Sequence, residues 1–471
     1  MKLYKLFCGG EFITTGKEHP VTDKYTNAVF AKTWLADEKI LQQAVDAARA
    51  ALPAMRAMSS FEKYAALLYI SNELNKNRND LAALLARESG KPIIYAAGEI
   101  DRASQTFLIA AEECKRLPKE YISLDWTTPG KNKEGLVKYF PAGIVAGIAP
   151  FNFPMNLAVH KIAPALAAGC PIILKPASAT PLSTLALAEI IATTSFPAGS
   201  VSVLPMTRET GNLLVTHPDI RVLSFTGSPE VGWELKKQSG KKKVILELGG
   251  NAGVIISSTT DISAVIAKCV TGAFAYSGQI CIHAQRFYVH PDKFDEFCSA
   301  MERQTIALEY GNPLDKKTSI SKMIDEENAK RVEEWVNEAV KAGAKIICGG
   351  KREGAYYEPT ILTGTTTEMK INSEEIFGPV ICIEKYSGEF SDAVRKINDT
   401  RFGLQCGVFT DSVAELEYAF HELEVGGVIH NEVPTLRFDQ MPYGGVKDSG
   451  LGREGVRYAI MDMMEARVLV K

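Results

Sequence analysis

At 471 residues with 46% hydrophobic content, the chain can bury large cores in two or three domains, which excludes a small stapled scaffold. A formal net charge of −3 with both signs interspersed excludes a basic surface for nucleic acid or an anionic membrane at the level of the whole chain. Nine cysteines, scattered without CxxC pairs or Cys/His spacing, argue for reduced thiols in a cytoplasmic protein and against a disulfide framework or a zinc site.

The opening Met-Lys-Leu-Tyr-Lys-Leu-Phe-Cys is too short in apolar length for a secretory signal, and no apolar run is long enough to span a bilayer. Strands and turns are expected to about Trp34. Asp37 then begins a 3.6-periodic stretch through Ile40, Ala44, Val45 and Ala48, and Ser60 caps a second helix. This helical block runs to about Arg116 with a break near Lys91-Pro92. Arg102 heads a face of small residues (Ser104, Thr106, Ala110, Ala111), and its ordinary reading is a surface ion pair with Glu99. From Leu117 to Tyr139 two short strands flank a Pro-Gly turn, a hairpin that needs another surface to lie on.

Short β-rich runs at 143–149, 171–174, 201–204, 222–225 and 244–246 alternate with helical stretches such as 157–168 and 182–194, the signal for a parallel sheet covered by helices. Ligands bind beyond the carboxyl ends of such strands. Those ends carry Asn152, Lys175, Gly227-Ser228 and Glu247. Ser228 caps a helix that Pro229 opens, and Gly227 and Gly232 permit close backbone approach, so free N–H groups and a positive dipole end face an anion such as a pyrophosphate. A second α/β unit follows from Asp261, and 465–470 forms a last strand able to pair with the hairpin, in this chain or a neighbour's. Gly450-Leu-Gly-Arg-Glu-Gly455 matches the G-x-G-x-x-G pattern, but no strand leads into it, so it is rejected as a cofactor loop.

The chemistry concentrates between Val244 and His283. Glu247 sits at a strand end, and Cys281 follows the polar, flexible Ser277-Gly278-Gln279. A thiol needs its thiolate form to attack, and a carboxylate in a partly dry cleft can activate water. Taken alone the pair is weak, because most cysteines are small buried hydrophobes and most glutamates are solvated charges.

With these residues laid out, the sequence resembles the aldehyde dehydrogenase superfamily over nearly its whole length. The motifs are Pro150-Phe-Asn-Phe-Pro154, Leu174-Lys-Pro-Ala177, Phe225-Thr-Gly-Ser228, Glu247-Leu-Gly-Gly250, Gly278-Gln-Ile-Cys281, Glu375-Ile-Phe-Gly-Pro-Val380 and Pro442-Tyr-Gly-Gly-Val-Lys-Asp-Ser-Gly450. The resemblance implies an α/β fold with a Rossmann-type coenzyme domain (1–117 and 141–249), a second α/β catalytic domain (250–450) and a β-hairpin oligomerisation element (118–140 and 451–471) in a homodimer or homotetramer. It implies that Cys281 attacks an aldehyde, that the Asn152 amide and the Cys281 N–H hold the oxyanion, and that Glu247 activates the water that hydrolyses the thioester. NAD or NADP would lie against Phe151, Lys175, Ser178, Gly227, Ser228, Gly232, Glu375 and Phe377. Many NAD-preferring members carry Glu three residues beyond the lysine; here Ser178 stands there, and a serine does not repel a 2′-phosphate, so NADP is admitted.

The subgroup the chain most resembles acts on lactaldehyde or on aldehydes with phosphonate, phosphate or sulfonate tails. Arg102 and His160, with His283 and Arg437, are therefore the candidate contacts to a small hydroxylated or anionic aldehyde. A succinate-semialdehyde-type or CoA-acylating semialdehyde dehydrogenase is the alternative, and a catalytically idle structural or stress-binding member is the non-enzyme one.

Overall fold

The computed structural model describes residues 2–471. Two sheets dominate it. The first has eight strands in the order Gly450–Leu451, Lys243–Glu247, Ile220–Thr226, Ile144–Ile148, Ile172–Lys175, Val201–Val203, Leu6–Cys8, Glu11–Ile13. Its five central strands are parallel, as the alternating pattern predicts, and they carry buried Val, Ile and Leu to cores on both faces. The second sheet has seven strands, in the order Lys345–Cys348, Thr360–Thr363, Val380–Lys385, Arg286–Val289, Gly253–Ile256, Gln405–Phe409, Gly427–His430.

Helices lie where apolar periodicity puts them. Asp37 caps Glu38–Ala57 by accepting from the Ile40 N–H. The next helix, Ser60–Lys76, is capped by Ser59 and not by Ser60: a capping box needs Glu at its third helical position, and Glu62 answers Ser59. The Lys91-Pro92 break falls between Arg78–Ser89, closed by Gly90, and Ile93–Glu113. Asn156–Ala168 is buried along its whole length, packed between the first sheet and the helical block.

The hairpin strands Lys119–Ser123 and Glu134–Pro141 pair antiparallel, and Met464–Val470 of the same chain joins them in a three-stranded sheet. Tyr121, Trp126, Val468, Leu469 and Val470 stay exposed on it. Gly450–Leu451, rejected above as a cofactor loop, is an antiparallel edge strand that pairs with Leu246 and Glu247. No helix among the described residues is long and apolar enough to cross a membrane.

Candidate active site

A cleft of about 720 Å3 opens beyond the carboxyl ends of the first sheet, and its wall includes Phe151, Asn152, Gly227, Ser228, Glu247, Cys281, Glu375 and Phe377. Eight residues scattered over more than two hundred positions thus meet where strand ends leave loops free. Cys281 is half-buried and faces this cleft.

The backbone before Cys281 is strained. Tyr276, Ser277 and Gly278 have φ of 51°, 53° and 67°, three consecutive left-handed residues. Side-chain bonds hold the first two: Tyr276 donates to the Ser89 carbonyl at 3.0 Å and Ser277 to the Ser321 carbonyl at 2.8 Å. At Gly278 a Cβ would lie 2.1 Å from the Gly378 carbonyl oxygen. Gly278→Ala therefore loses at least about 1–2 kcal/mol from the left-handed conformation alone, with the clash added. Thermal denaturation should show a lowered Tm, and alkylation of Cys281 should show a displaced thiol.

Asn152 is fixed on the other side. Its Nδ2 donates to the Gln279 carbonyl at 2.9 Å, which ties the amide to the cysteine loop and leaves a second N–H. Glu99 secures the loop that carries it by accepting the Met155 and Asn156 N–H groups at 2.9 and 3.1 Å. The Lys91 ammonium pairs with Glu99 and lies 3.6 Å from the Phe153 ring centroid and 4.6 Å from that of Tyr276. One buried cation thus joins both halves of the site. The sequence reading assigned Glu99 to Arg102; Glu99 turns inward to Lys91 instead, because two helix N–H groups and a fully buried ammonium need its carboxylate.

Glu247 is buried, with Oε1 accepting the Glu454 N–H at 3.3 Å and Oε2 without a protein partner. Burial, then the neighbouring Glu454 charge, pushes its carboxyl well above the usual range. Glu454 has the opposite fate. Burial would raise it, but Lys161 at 3.1 Å and Arg437 at 3.0 Å hold it down at about 2. Two carboxyls side by side are thereby driven apart in acidity, the pattern of a proton acceptor beside a fixed charge. Burial likewise pushes the Cys281 thiol up to about 11.

Arg102 and His160 come together through a residue the sequence did not single out. Arg102 Nη2 and His160 Nε2 both reach Asp439 Oδ1, at 2.7 and 2.8 Å. Burial raises Asp439, but the His160 hydrogen bond and Arg102 outweigh it and hold the carboxyl well below its usual range. His160 is lowered by burial and by Arg437, against the pull of Asp439 and Glu454. Arg437 continues the cluster, 3.6 Å over the ring of Tyr443, whose hydroxyl lies 3.1 Å from Cys281 Sγ. His283 stands apart from this group. It is buried with Nε2 on the Ala273 carbonyl at 2.7 Å, and burial lowers it to about 4, so it is a neutral histidine of the loop's interior rather than a wall of the substrate path.

The Aldehyde dehydrogenase family profile matches residues 12–469. The chain belongs to that family. It is 41% identical over 471 residues to a 3-sulfolactaldehyde dehydrogenase of Priestia aryabhattai, covering 100% of this chain and 98% of the relative. Among solved structures, aldehyde dehydrogenase 21 of Physcomitrella patens, in complex with the reaction product succinate, superposes with a TM-score of 0.98 at 45% identity, covering 100% of this chain and 98% of that one. A glyceraldehyde-3-phosphate dehydrogenase of Methanocaldococcus jannaschii complexed with NADP gives a TM-score of 0.92 at 34% identity, covering 97% of this chain and 100% of that one. This aldehyde dehydrogenase is thus an NAD(P)-dependent oxidoreductase with the expected α/β fold.

The cleft fits such a cofactor. Ser228 caps Pro229–Gln238 by accepting from the Val231 N–H, and the first turn of that helix lines the cleft. Phe151 and Phe377 meet edge to face with centroids 5.7 Å apart. Lys175 ends its strand with its ammonium on the Pro176 carbonyl at 3.5 Å and no carboxylate partner among the described residues, and burial lowers its pKa, so an anion or ribose oxygens would stabilise its charge. Glu375, pushed up to about 8 by burial, accepts the Gly250 N–H at 3.2 Å. Ser178 is exposed three residues beyond Lys175. Lys175, Ser178 and Gly232 lie outside the cleft wall itself, and at Gly232 the missing side chain makes room for Leu248.

Proposed function

We propose that this enzyme oxidises a short aldehyde with an anionic tail to the carboxylate, with Cys281 as nucleophile, Asn152 as oxyanion donor and Glu247 as the base of hydrolysis. The observation that carries the substrate class is the cation-rich cluster that reaches the thiol through Arg437 and Tyr443. Arg102, Lys161 and Arg437 face the carboxylates of Asp439 and Glu454, three cations against two anions, with His160 among them. The relatives' names fit this reading: sulfolactaldehyde, succinate as product and glyceraldehyde-3-phosphate all carry an anionic tail.

In this reading Cys281 Sγ adds to the aldehyde carbon, and the developing oxyanion takes hydrogen bonds from the free Asn152 N–H and the Cys281 backbone N–H. NAD or NADP, when bound, accepts the hydride. Phe151, Phe377, Lys175, Glu375 and the Ser228 helix end hold it, and the exposed Ser178 admits the 2′-phosphate of NADP. Glu247 then removes a proton from the water that attacks the thioester, which favours hydrolysis over transfer to CoA. The exposed apolar residues on the three-stranded hairpin sheet support its role as the contact between subunits of a homodimer or homotetramer.

Arg102 supplies the sharpest test. One guanidinium bond to a charged group is worth about 1.5–3 kcal/mol. Arg102→Ala should therefore raise KM for a sulfonated, phosphorylated or carboxylated aldehyde by about 10- to 100-fold while leaving KM for propanal nearly unchanged. The measurement is a panel of small hydroxy-, phospho-, sulfo- and semialdehydes run with both cofactors. Equal effects on charged and neutral aldehydes would remove Arg102 from the substrate site.

A further inference from the structure

We propose that Tyr443 is a catalytic residue: its hydroxyl donates a hydrogen bond to the Cys281 sulfur whenever that sulfur is a thiolate, before attack and again as the leaving group of thioester hydrolysis. The inference rests on Cys281 being the nucleophile.

Tyr443 is fully enclosed, and its hydroxyl lies 3.1 Å from Cys281 Sγ. A buried phenol needs a partner, and this sulfur is the hydrogen-bond partner its hydroxyl has among the described residues. Phenylalanine would fill the same space, so the hydroxyl adds chemistry and not packing. The ring is held from two sides. Tyr443 and Glu454 exchange backbone bonds of 2.9 and 2.6 Å, and the Arg437 guanidinium lies 3.6 Å over the ring face. A cation over the π face draws charge from the ring and makes the O–H a stronger donor.

Four groups act on the sulfur. Glu375 and Glu247 disfavour its charge and Arg437 favours it at a distance, whereas Tyr443 touches it. A thiolate cannot donate, so the hydrogen bond has one possible direction once the S–H bond has broken. The thiol proton leaves to water in the open cleft. The sulfur lone pair then forms the S–C bond, and the carbonyl π pair moves to oxygen. In hydrolysis the C–S bond breaks, its electron pair returns to sulfur, and the Tyr443 hydrogen bond is restored. Tyr443 keeps its own proton throughout.

The test is the pH dependence of Cys281 alkylation by iodoacetamide in the full-length enzyme, beside steady-state kinetics. Tyr443→Phe should move the thiol titration upward, slow alkylation at a fixed pH below it by about tenfold, and reduce kcat by a similar factor with little change in KM. Site-specific replacement of Tyr443 by 3-fluorotyrosine, a stronger donor of the same shape, should move the titration downward, and it keeps the test open should the phenylalanine variant fold poorly. A raised KM with an unmoved titration, or a fluorotyrosine enzyme that titrates like the parent, overturns the proposal. Retained oxidation in Cys281→Ser would instead remove the nucleophile itself, and so separates the two failures.

Discussion

Glu247→Gln enzyme, mixed with saturating aldehyde and cofactor, should release about one equivalent of reduced cofactor per site in a burst and then turn over some 10²- to 10⁴-fold more slowly than the parent. Glutamine keeps the Oε1 contact to the Glu454 N–H but cannot take a proton from water. Attack by Cys281 and loss of the hydride precede the step that needs this base, so they survive. Cys281→Ser should show neither burst nor turnover. The raised pKa of Glu247 gives the reading a second signature. The base form is required, so steady turnover of the parent should fall as pH drops through a value above the ordinary carboxylate range, while the burst of Glu247→Gln lacks that limb. Loss of the burst would assign Glu247 to the first half of the reaction instead.

Asn152→Ala should lower kcat by about two to three orders of magnitude, the typical effect of removing one oxyanion donor of about 3–4 kcal/mol. The fold has little reason to respond. The loop is held by Glu99 through Met155 and Asn156, and by Lys91 between Phe153 and Tyr276, none of which the substitution touches. Cofactor affinity and the alkylation rate of Cys281 should therefore stay near the parental values. A matching loss in alkylation would mean that Asn152 positions the thiol through its bond to the Gln279 carbonyl, and not that it stabilises an oxyanion.

Local signals made much of this legible in the amino-acid order. The central parallel strands announced themselves as apolar runs and Ser228 as a cap, while Asp37 was legible only as the start of a helix and the cap at 59–60 was off by one residue. The strands Gly253–Ile256, Thr360–Thr363 and Gly427–His430 did not announce themselves, because Gly or Pro at or beside their ends reads as a turn. The residues proposed for catalysis, Cys281, Glu247 and Asn152, stand in recognisable motifs, and they meet at one cleft. The electrostatic partners were not legible: Asp439 lies 337 positions from Arg102, and Glu454 lies 207 from Glu247. Asp439 occupies a polar loop like many others, and Glu454 lies inside a glycine pattern that no strand leads into. Tyr443 stands in a recognisable motif, but nothing in the motif shows where its hydroxyl points. His283 failed for the reverse reason, since nearness to Cys281 in sequence says nothing about the side of the backbone a side chain takes.

The edge strand Gly450–Leu451 has a consequence in time. It seals the strand that ends in Glu247, and four residues after Gly450 stands Glu454, whose charge adds to burial in raising Glu247. During synthesis Asn152, Glu247 and Cys281 all emerge well before residues 450–454. A nascent or truncated chain therefore carries its reactive thiol without the neighbour that tunes its base. On the proposed roles, the hydrolytic half of the reaction would be the last to gain its full electrostatic setting.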